Sequence, residues 1–533
     1  MSSHLNANSQ PTLSLPRPSW VDLGPFGLPG SVEAEGYAPY LLAIILMASV
    51  MAVSFRKHNK LSKFPVINSS KNDYLSNGRA MLARGMEEYG GKPFRVNTGL
   101  GGGVIILNPS VMPEVRNDHR FDSTKFLLQV SFKTFTFPYW QAGIPGFEPY
   151  IALGTEILHN VIKWNLTPTG IAKLNKTLSD ETDAALRDIL TDNEEWHEVL
   201  LGDVLIRIVA RVSSVIFLGP ELCRNPDWLK ITVNYTNQAT YAAKVLRRWP
   251  VSLYRIIHWF LPECQEVRAM VKRARDTIAP ILEKRRAQKE ADPSLEFHDA
   301  LDWYEAAAKK MDVDYDPAAQ QLGLSVSAIL TSNDLMSQSI MDLCQNSHML
   351  EPLRNEIRSV LNDGGWKPTT LYNMKLLDST LKETLRLKPV AAVGLGRRVM
   401  SDVRLKDGTL LPKESGIAVS AEKMWDPEIY EKPRVFDGYR FLRMREASEQ
   451  GEKAAQLVST SPDHLGFGLG IHACPGRFFG ANTVKLIMCH LLLKYDIRLA
   501  ENTNTKPLEF GFSMLANPTT KVLIKRRKEE VHF

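Results

Sequence analysis

The chain has 533 residues, 44% of them hydrophobic and 23% charged, with a formal net charge of +6; these are the proportions of a folded globular protein, not of a disordered or fibrous one. So small a positive charge over that length, with no zinc-finger or basic-helix pattern, excludes a nucleic-acid binder. Five cysteines (223, 264, 344, 474 and 489) stand in no close-spaced framework, which excludes a disulfide scaffold and fits a reducing compartment.

Residues 1–36 are rich in Ser, Pro and Gly and are predicted to be disordered. Residues 37–55 (YAPYLLAIILMASVMAVSF) carry no charge and as a helix would span about 28 Å, close to the hydrocarbon thickness of a bilayer. The run starts too late, and without a short basic region before it, for a cleaved signal peptide. Arg56, Lys57, Lys60 and Lys63 follow it at once, whereas Arg17 stands against Asp22, Glu33 and Glu35 before it. The positive-inside rule therefore leaves the C-terminal bulk in the cytoplasm. The expectation is a single transmembrane helix at 37–55, a basic linker at 56–63 and one large domain at 64–533.

Phe64-Pro65 marks the entry to that domain. Lys92 to Leu107 alternates like a hairpin around Gly99–Gly103. The stretch Phe126–Tyr150 is dense in aromatics (Phe132, Phe135, Phe137, Tyr139, Trp140, Phe147), and its prolines and glycines rule out a long helix. Aromatics in such a loop serve either packing or a pocket. Glu156–Leu166 reads as a helix with His159 and Lys163 four apart on one face. Helical periodicity runs from Leu174 to about Arg286, broken near Pro250 and Pro262. Asp316-Pro317 is a helix start, and the pattern continues to Gln345, about 45 Å. A helix that long and that apolar must cross the interior. Its middle reads Ala328-Ile329-Leu330-Thr331-Ser332-Asn333-Asp334.

Glu383-Thr384-Leu385-Arg386 places opposite charges three apart on a helix. Arg397-Arg398 follow, and Val403–Ala421 holds a hairpin turn at Asp407-Gly408. Next come Pro433-Arg434-Val435-Phe436 and Arg440-Phe441, then Phe467-Gly468-Leu469-Gly470-Ile471-His472-Ala473-Cys474-Pro475-Gly476-Arg477. Glycines at 466, 468, 470 and 476 let this loop turn tightly and approach a flat ligand. Arg477–Tyr495 is apolar at helical spacing, so a helix N-terminus lies beside the Cys474 sulfur, where it would favour a thiolate.

The pattern Phe467-x-x-Gly470-x-His472-x-Cys474-x-Gly476, preceded in register by Glu-x-x-Arg and Pro-Arg-Val-Phe…Arg-Phe, resembles the haem-thiolate monooxygenases of the cytochrome P-450 family. The likeness covers roughly Phe64 to the C-terminus. It implies a mostly α fold with a minor β subdomain, haem b with Cys474 as the iron ligand, and Phe467, Gly470 and His472 in the haem-binding loop. It implies that Glu383, Arg386 and Arg440 lock that loop and that the aromatic stretch serves the pocket. A donor pair in the helix at 156–166 holds a haem propionate in many relatives; here His159 and Lys163 would take that place, or are two solvated polar residues. Arg398 and His472 are further propionate candidates. In the long helix the family's Ala-Gly-x-acid-Thr-Thr is altered: Ile329 replaces the glycine, Thr331 the acid, and Ser332 holds the alcohol position. Thr331 and Ser332 are the expected catalytic hydroxyls, with no carboxylate in the usual slot.

With no dinucleotide fingerprint, the resemblance also implies an NADPH-cytochrome P-450 reductase as partner and an endoplasmic-reticulum membrane location. Lys432, Arg434, Arg443, Arg445 and Arg477 are candidates to dock the reductase, or form a solvated basic face. The pocket stretches Phe126–Tyr150, Ala391–Leu395 and Phe510–Leu515 imply a bulky apolar small molecule as substrate. Likeness to filamentous-fungal members of secondary metabolism suggests a terpenoid or indole terpenoid. A haem-thiolate isomerase or dehydratase that does not activate O₂, and a non-catalytic membrane haem-binding protein, are the alternatives.

Overall fold

The computed structural model of the protein describes residues 61–98, 103–126, 143–246, 248–250, 253–363 and 365–528. The leader 1–36, the apolar run 37–55, the basic residues through Lys60, the turn glycines 99–102 and positions 127–142 of the aromatic stretch lie outside the described residues. No described helix is long and apolar enough to cross a membrane. The compact unit begins at Leu61, slightly ahead of Phe64, because both side chains are buried in the same apolar core.

The longer helices are α1 (Lys71–Glu88), α2 (Glu156–Asn165), α3 (Asn175–Leu190), α4 (Leu201–Phe217), α5 (Pro226–Leu246), α6 (Pro262–Ala291), α7 (Ala300–Met311), α8 (Pro317–Gln345), α9 (Leu350–Asn362), α10 (Lys375–Leu387), α11 (Arg440–Ala447) and α12 (Arg477–Lys494). Helix α8 starts where the sequence places it. The Asp316 carboxylate accepts from the Ala318 and Ala319 N–H groups at 3.0 and 3.2 Å, and Pro317 opens the first turn. Most of its side chains are buried, as a helix through the interior requires. Helices α3, α4, α5, α6, α10 and α12 contribute to the same core around it.

The strands are β1 (Phe94–Val96), β2 (Val104–Leu107), β3 (Phe121–Asp122), β4 (His197–Leu200), β5 (Val393–Val399), β6 (Val403–Arg404), β7 (Leu410–Leu411), β8 (Gly416–Ser420), β9 (Tyr495–Leu499), β10 (Leu508–Phe510), β11 (Ser513–Leu515) and β12 (Lys521–Arg526). The larger sheet has the order β1-β2-β8-β5-β3. Only β2 and β8 run parallel in it. It carries the second core. The architecture is mostly α with a minor β region.

Two local expectations are refined. The hairpin β1–β2 forms, pairing Phe94 with Ile106, but all its residues are buried on both faces. The helical stretch 174–286 is interrupted by β4, which pairs with β12 from the far end of the chain. Such a partner is invisible to any local periodicity. In β5 the register against β8 shifts between Gly394 and Arg397, with Leu395 at φ 47°. This bulge resets which side chains of β5 face which way.

Candidate active site

The Cys474 loop is held from several directions. Its N–H donates to the Phe467 carbonyl at 2.8 Å, closing the loop on itself. Gly468 and Gly470 adopt φ of 73° and 77°; a Cβ at Gly470 would stand 2.3 Å from the Arg116 carbonyl oxygen. The tight turn therefore needs glycine there. Helix α12 begins at Arg477, and the Arg477 guanidinium donates to the Cys474 carbonyl at 2.9 Å.

The loop forms the floor of a cavity of about 1160 Å³. Cys474 is open to that space while protein crowds its other sides. Burial pushes its thiol up, opposed by the Gly476 and Arg477 N–H groups and the Arg477 charge. A thiolate at this place calls for a cation facing it. Among the described residues no cluster of three or more His, Cys, Asp or Glu could hold a metal ion. A single thiol then suits a metal whose other ligands come from elsewhere.

The cavity wall is apolar along Phe126, Leu153, Val393, Leu395, Leu469 and Phe512, and polar along Arg116, His159, Lys163 and Arg397. The Nε atoms of Arg116 and Arg397 are buried with no hydrogen-bond partner, a costly state that an anionic acceptor would relieve. Burial lowers Arg397 to about 10, with Asp122 opposing. His472 also lines the cavity; its Nδ1 lies 2.9 Å from Ser123 Oγ. Burial and then the Arg397 charge push its imidazole down, favouring the neutral ring. The His159 Nδ1–H donates to the Thr155 carbonyl at 2.8 Å, which leaves Nε2 for another partner.

The expected site residues thus divide. Cys474, Gly470, His472, His159 and Lys163 line one cavity. The Phe467 ring packs into the helical core instead, and only its carbonyl serves the loop. Arg398 does not fit its propionate expectation: its guanidinium is ion-paired with Glu414, and Arg397 is the one that lines the cavity. The β5 bulge makes that exchange, and no pattern in the two adjacent arginines announces it. Arg116 was missed altogether, since nothing in Val115-Arg116-Asn117 resembles a motif. On α8, Thr331 is exposed and its hydroxyl donates to the Ser327 carbonyl at 2.9 Å. Ser332 is buried. Neither is among the described residues lining the Cys474 cavity. Of the basic docking candidates, Lys432, Arg434 and Arg443 are exposed, but Arg445 is buried against Asp378 and Glu452 and is unavailable to a partner.

A thiol under a large cavity, with apolar walls and two arginine Nε atoms left without a partner, is matched by the family comparison. The sequence model described as cytochrome P450 matches residues 80–526. The chain belongs to the cytochrome P450 family. Its relatives include the cytochrome P450 monooxygenase hepE of Aspergillus oryzae, 45% identical over 86% of this chain and 83% of that protein. The cytochrome P450 monooxygenase adrA of Penicillium rubens is 39% identical over 88% and 90%. Among solved structures, a cyanobacterial member, CYP120A1 with retinoic acid bound, shares the fold with a TM-score of 0.62 at 19% identity, covering 87% of this chain and 99% of that one. The protein is therefore a P450 monooxygenase with a haem-thiolate iron cofactor, dependent on a redox partner for electrons and acting on a small molecule. The donor set fits that cofactor: a thiol for the iron, apolar walls for the macrocycle, and guanidiniums for its carboxylates.

Proposed function

We propose that this P450 is a membrane-anchored enzyme of fungal secondary metabolism that oxidises a bulky apolar substrate of terpenoid type, with electrons from an NADPH-dependent P450 reductase. The observation that carries the site reading is Cys474, open to a cavity also lined by Arg116 and Arg397, whose Nε atoms are buried without a hydrogen-bond partner. When bound, the haem supplies oxygen activation, and its Cys thiolate ligand donates electron density to the iron. Cys474 supplies that thiolate. Arg116 and Arg397 would hold the haem's propionate carboxylates, with His159, Lys163 and His472 on the same wall as further donors suited to carboxylates. Phe126, Val393, Leu395 and Phe512 exclude water and present an apolar surface to the substrate. Mass spectrometry of extracts from cells with and without this chain identifies the substrate. A polar, charged accumulating compound would overturn the terpenoid reading.

Proton handling is assigned to Thr331 and Ser332 from their place at the middle of α8, although neither lines the described cavity and the Thr331 hydroxyl is engaged by the Ser327 carbonyl. Replacing both, as Thr331→Val with Ser332→Ala, is expected to keep the thiolate spectrum. Loss of a positioned proton donor should lower product formation about 10²-fold, with NADPH electrons recovered as hydrogen peroxide. Unchanged coupling of NADPH to product in that variant rules the hydroxyls out.

The anchor reading rests on the uncharged run 37–55 and the basic residues that follow it, which support a catalytic unit on the cytosolic face of the endoplasmic reticulum. Deleting residues 1–60 is expected to move the protein from the membrane to the soluble fraction with its haem retained, because the compact unit starts at Leu61. A truncation that loses haem and aggregates would show that the leader belongs to the folded domain.

A further inference from the structure

After its Asp316 cap, helix α8 carries only the carboxylates of Asp334 and Asp342 in an otherwise neutral sequence. Both are largely buried, and they are bound differently. Asp342 accepts from Thr384 Oγ1 at 2.8 Å and from Gln338 Nε2 at 2.9 Å, partners on α10 and on its own helix. Asp334 reaches instead to the segments that wall the Cys474 cavity. One of its oxygens is ion-paired with Lys388, the side chains being 11% and 4% exposed. The other accepts from the Ala516 N–H at 2.7 Å.

The same ammonium of Lys388 donates to the Met514 carbonyl at 3.3 Å. From there the two wall segments are sewn together: Met514 N–H to Val390 carbonyl at 2.9 Å, Ala392 N–H to Phe512 carbonyl at 2.8 Å, and a bridge between Ala391 and Ser513. Pro389, Val390, Ala391, Phe512 and Ser513 all line the cavity. In the hairpin β10–β11, β10 is wholly exposed, so the hairpin is held on one side only, where Phe512 and Met514 join the second core. Desolvation disfavours the Lys388 charge, while Asp334 and then Asp342 support it. A buried ion pair of this kind adds little net stability but enforces one arrangement of the groups it joins.

We propose that Asp334 is a positioning residue: acting through Lys388 and the Ala516 amide, it fixes the Pro389–Ala391 and Phe512–Ser513 wall against α8, and so sets the size of molecule the cavity admits. The inference rests on the haem-thiolate reading of the same cavity. It goes further by assigning substrate selection to a carboxylate that does not face the cavity.

The test uses the full-length haem protein and two probes that bind through the same imidazole nitrogen to the iron. Imidazole itself is too small to need the wall, whereas clotrimazole must press on it. Asp334→Asn keeps the side-chain size and an acceptor for the Ala516 N–H but removes the charge, and Lys388→Met removes the other partner. Each is expected to retain the thiolate-type carbon monoxide band and imidazole affinity within about 2-fold, while clotrimazole binding shifts by about 10-fold or more. The double variant should be no worse than the worse single one, since both changes disable one device. Equal shifts for both probes, no shift for either, or strictly additive effects would overturn the proposal. So would loss of the thiolate band in both single variants, which would make the pair a general fold determinant. Absence of the thiolate band in the unmodified protein would instead refute the haem-thiolate reading itself.

Discussion

Cys474→Ala is expected to abolish haem-thiolate spectroscopy and product formation together, the largest effect any single substitution in this chain should have. The other four cysteines define the control. Burial pushes the thiols of Cys223 and Cys264 up to about 11 and that of Cys344 up to about 12, and raises Cys489 as well. Those sulfurs sit in packed protein and behave as small apolar side chains. Cys474 alone among them opens to a cavity, with two N–H groups and a guanidinium working against its desolvation. Once the sulfur is gone, the arginines that suit the carboxylates still hold part of the cofactor, but the iron lacks its protein ligand. The measurement is the carbon monoxide difference spectrum of reduced protein, read beside Cys264→Ala. A thiolate-type band surviving in Cys474→Ala would mean that another sulfur binds the iron, and the site would have to be rebuilt around it.

Much of this arrangement was legible because it depends on short-range chemistry. The Asp316-Pro317 start of α8 is a local event in which a side chain satisfies the first free N–H groups, so sequence alone locates it. The Cys474 loop is legible for a similar reason, since its glycines answer a backbone requirement that no other residue meets. Where the decisive partner is far along the chain, the sequence is silent. The strand β4 exists because β12 pairs with it. Arg397 rather than Arg398 faces the cavity because a bulge in β5 shifts the alternation by one. Arg116 enters the site because its backbone lies against Gly470. Asp334 is likewise silent in the sequence, because its partners Lys388 and Ala516 lie far along the chain.

The Glu383 cluster shows how an unremarkable sequence pair acquires weight from burial. As an exposed i, i+3 pair, Glu383 and Arg386 would contribute under about 1 kcal/mol. In the fold both side chains are fully buried. Arg386 grips the carboxylate with two bonds of 2.8 and 2.9 Å, and Arg440 Nε lies 3.1 Å from both of its oxygens. The remaining guanidinium hydrogens go to carbonyls of the segment before α11: Arg386 to Met424 and Pro433, Arg440 to Glu431 and Val435. One turn back on α10, Lys382 donates to the Gln456 and Ser459 carbonyls, and its own carbonyl lies 3.1 Å from the His464 ring. Helix α10 thereby pins the chain from Met424 to His464, the run that leads into the loop carrying Cys474.

Glu383→Gln removes the only anion of this cluster and leaves two buried guanidiniums facing each other across an amide. Stripping one partner from a buried ion pair costs about 3–5 kcal/mol, a large share of the 5–15 kcal/mol that holds a typical domain together. The variant is expected to express with little haem and to melt far below the unmodified protein. What remains should show a thiolate-type carbon monoxide band that decays as the loop around Cys474 loosens. Thermal denaturation of the purified haem protein, followed at the haem absorbance, checks the outcome. A melting temperature unchanged within a degree or two would mean that the carbonyls alone neutralise Arg386 and Arg440, and the locking role would pass to Lys382 and His464.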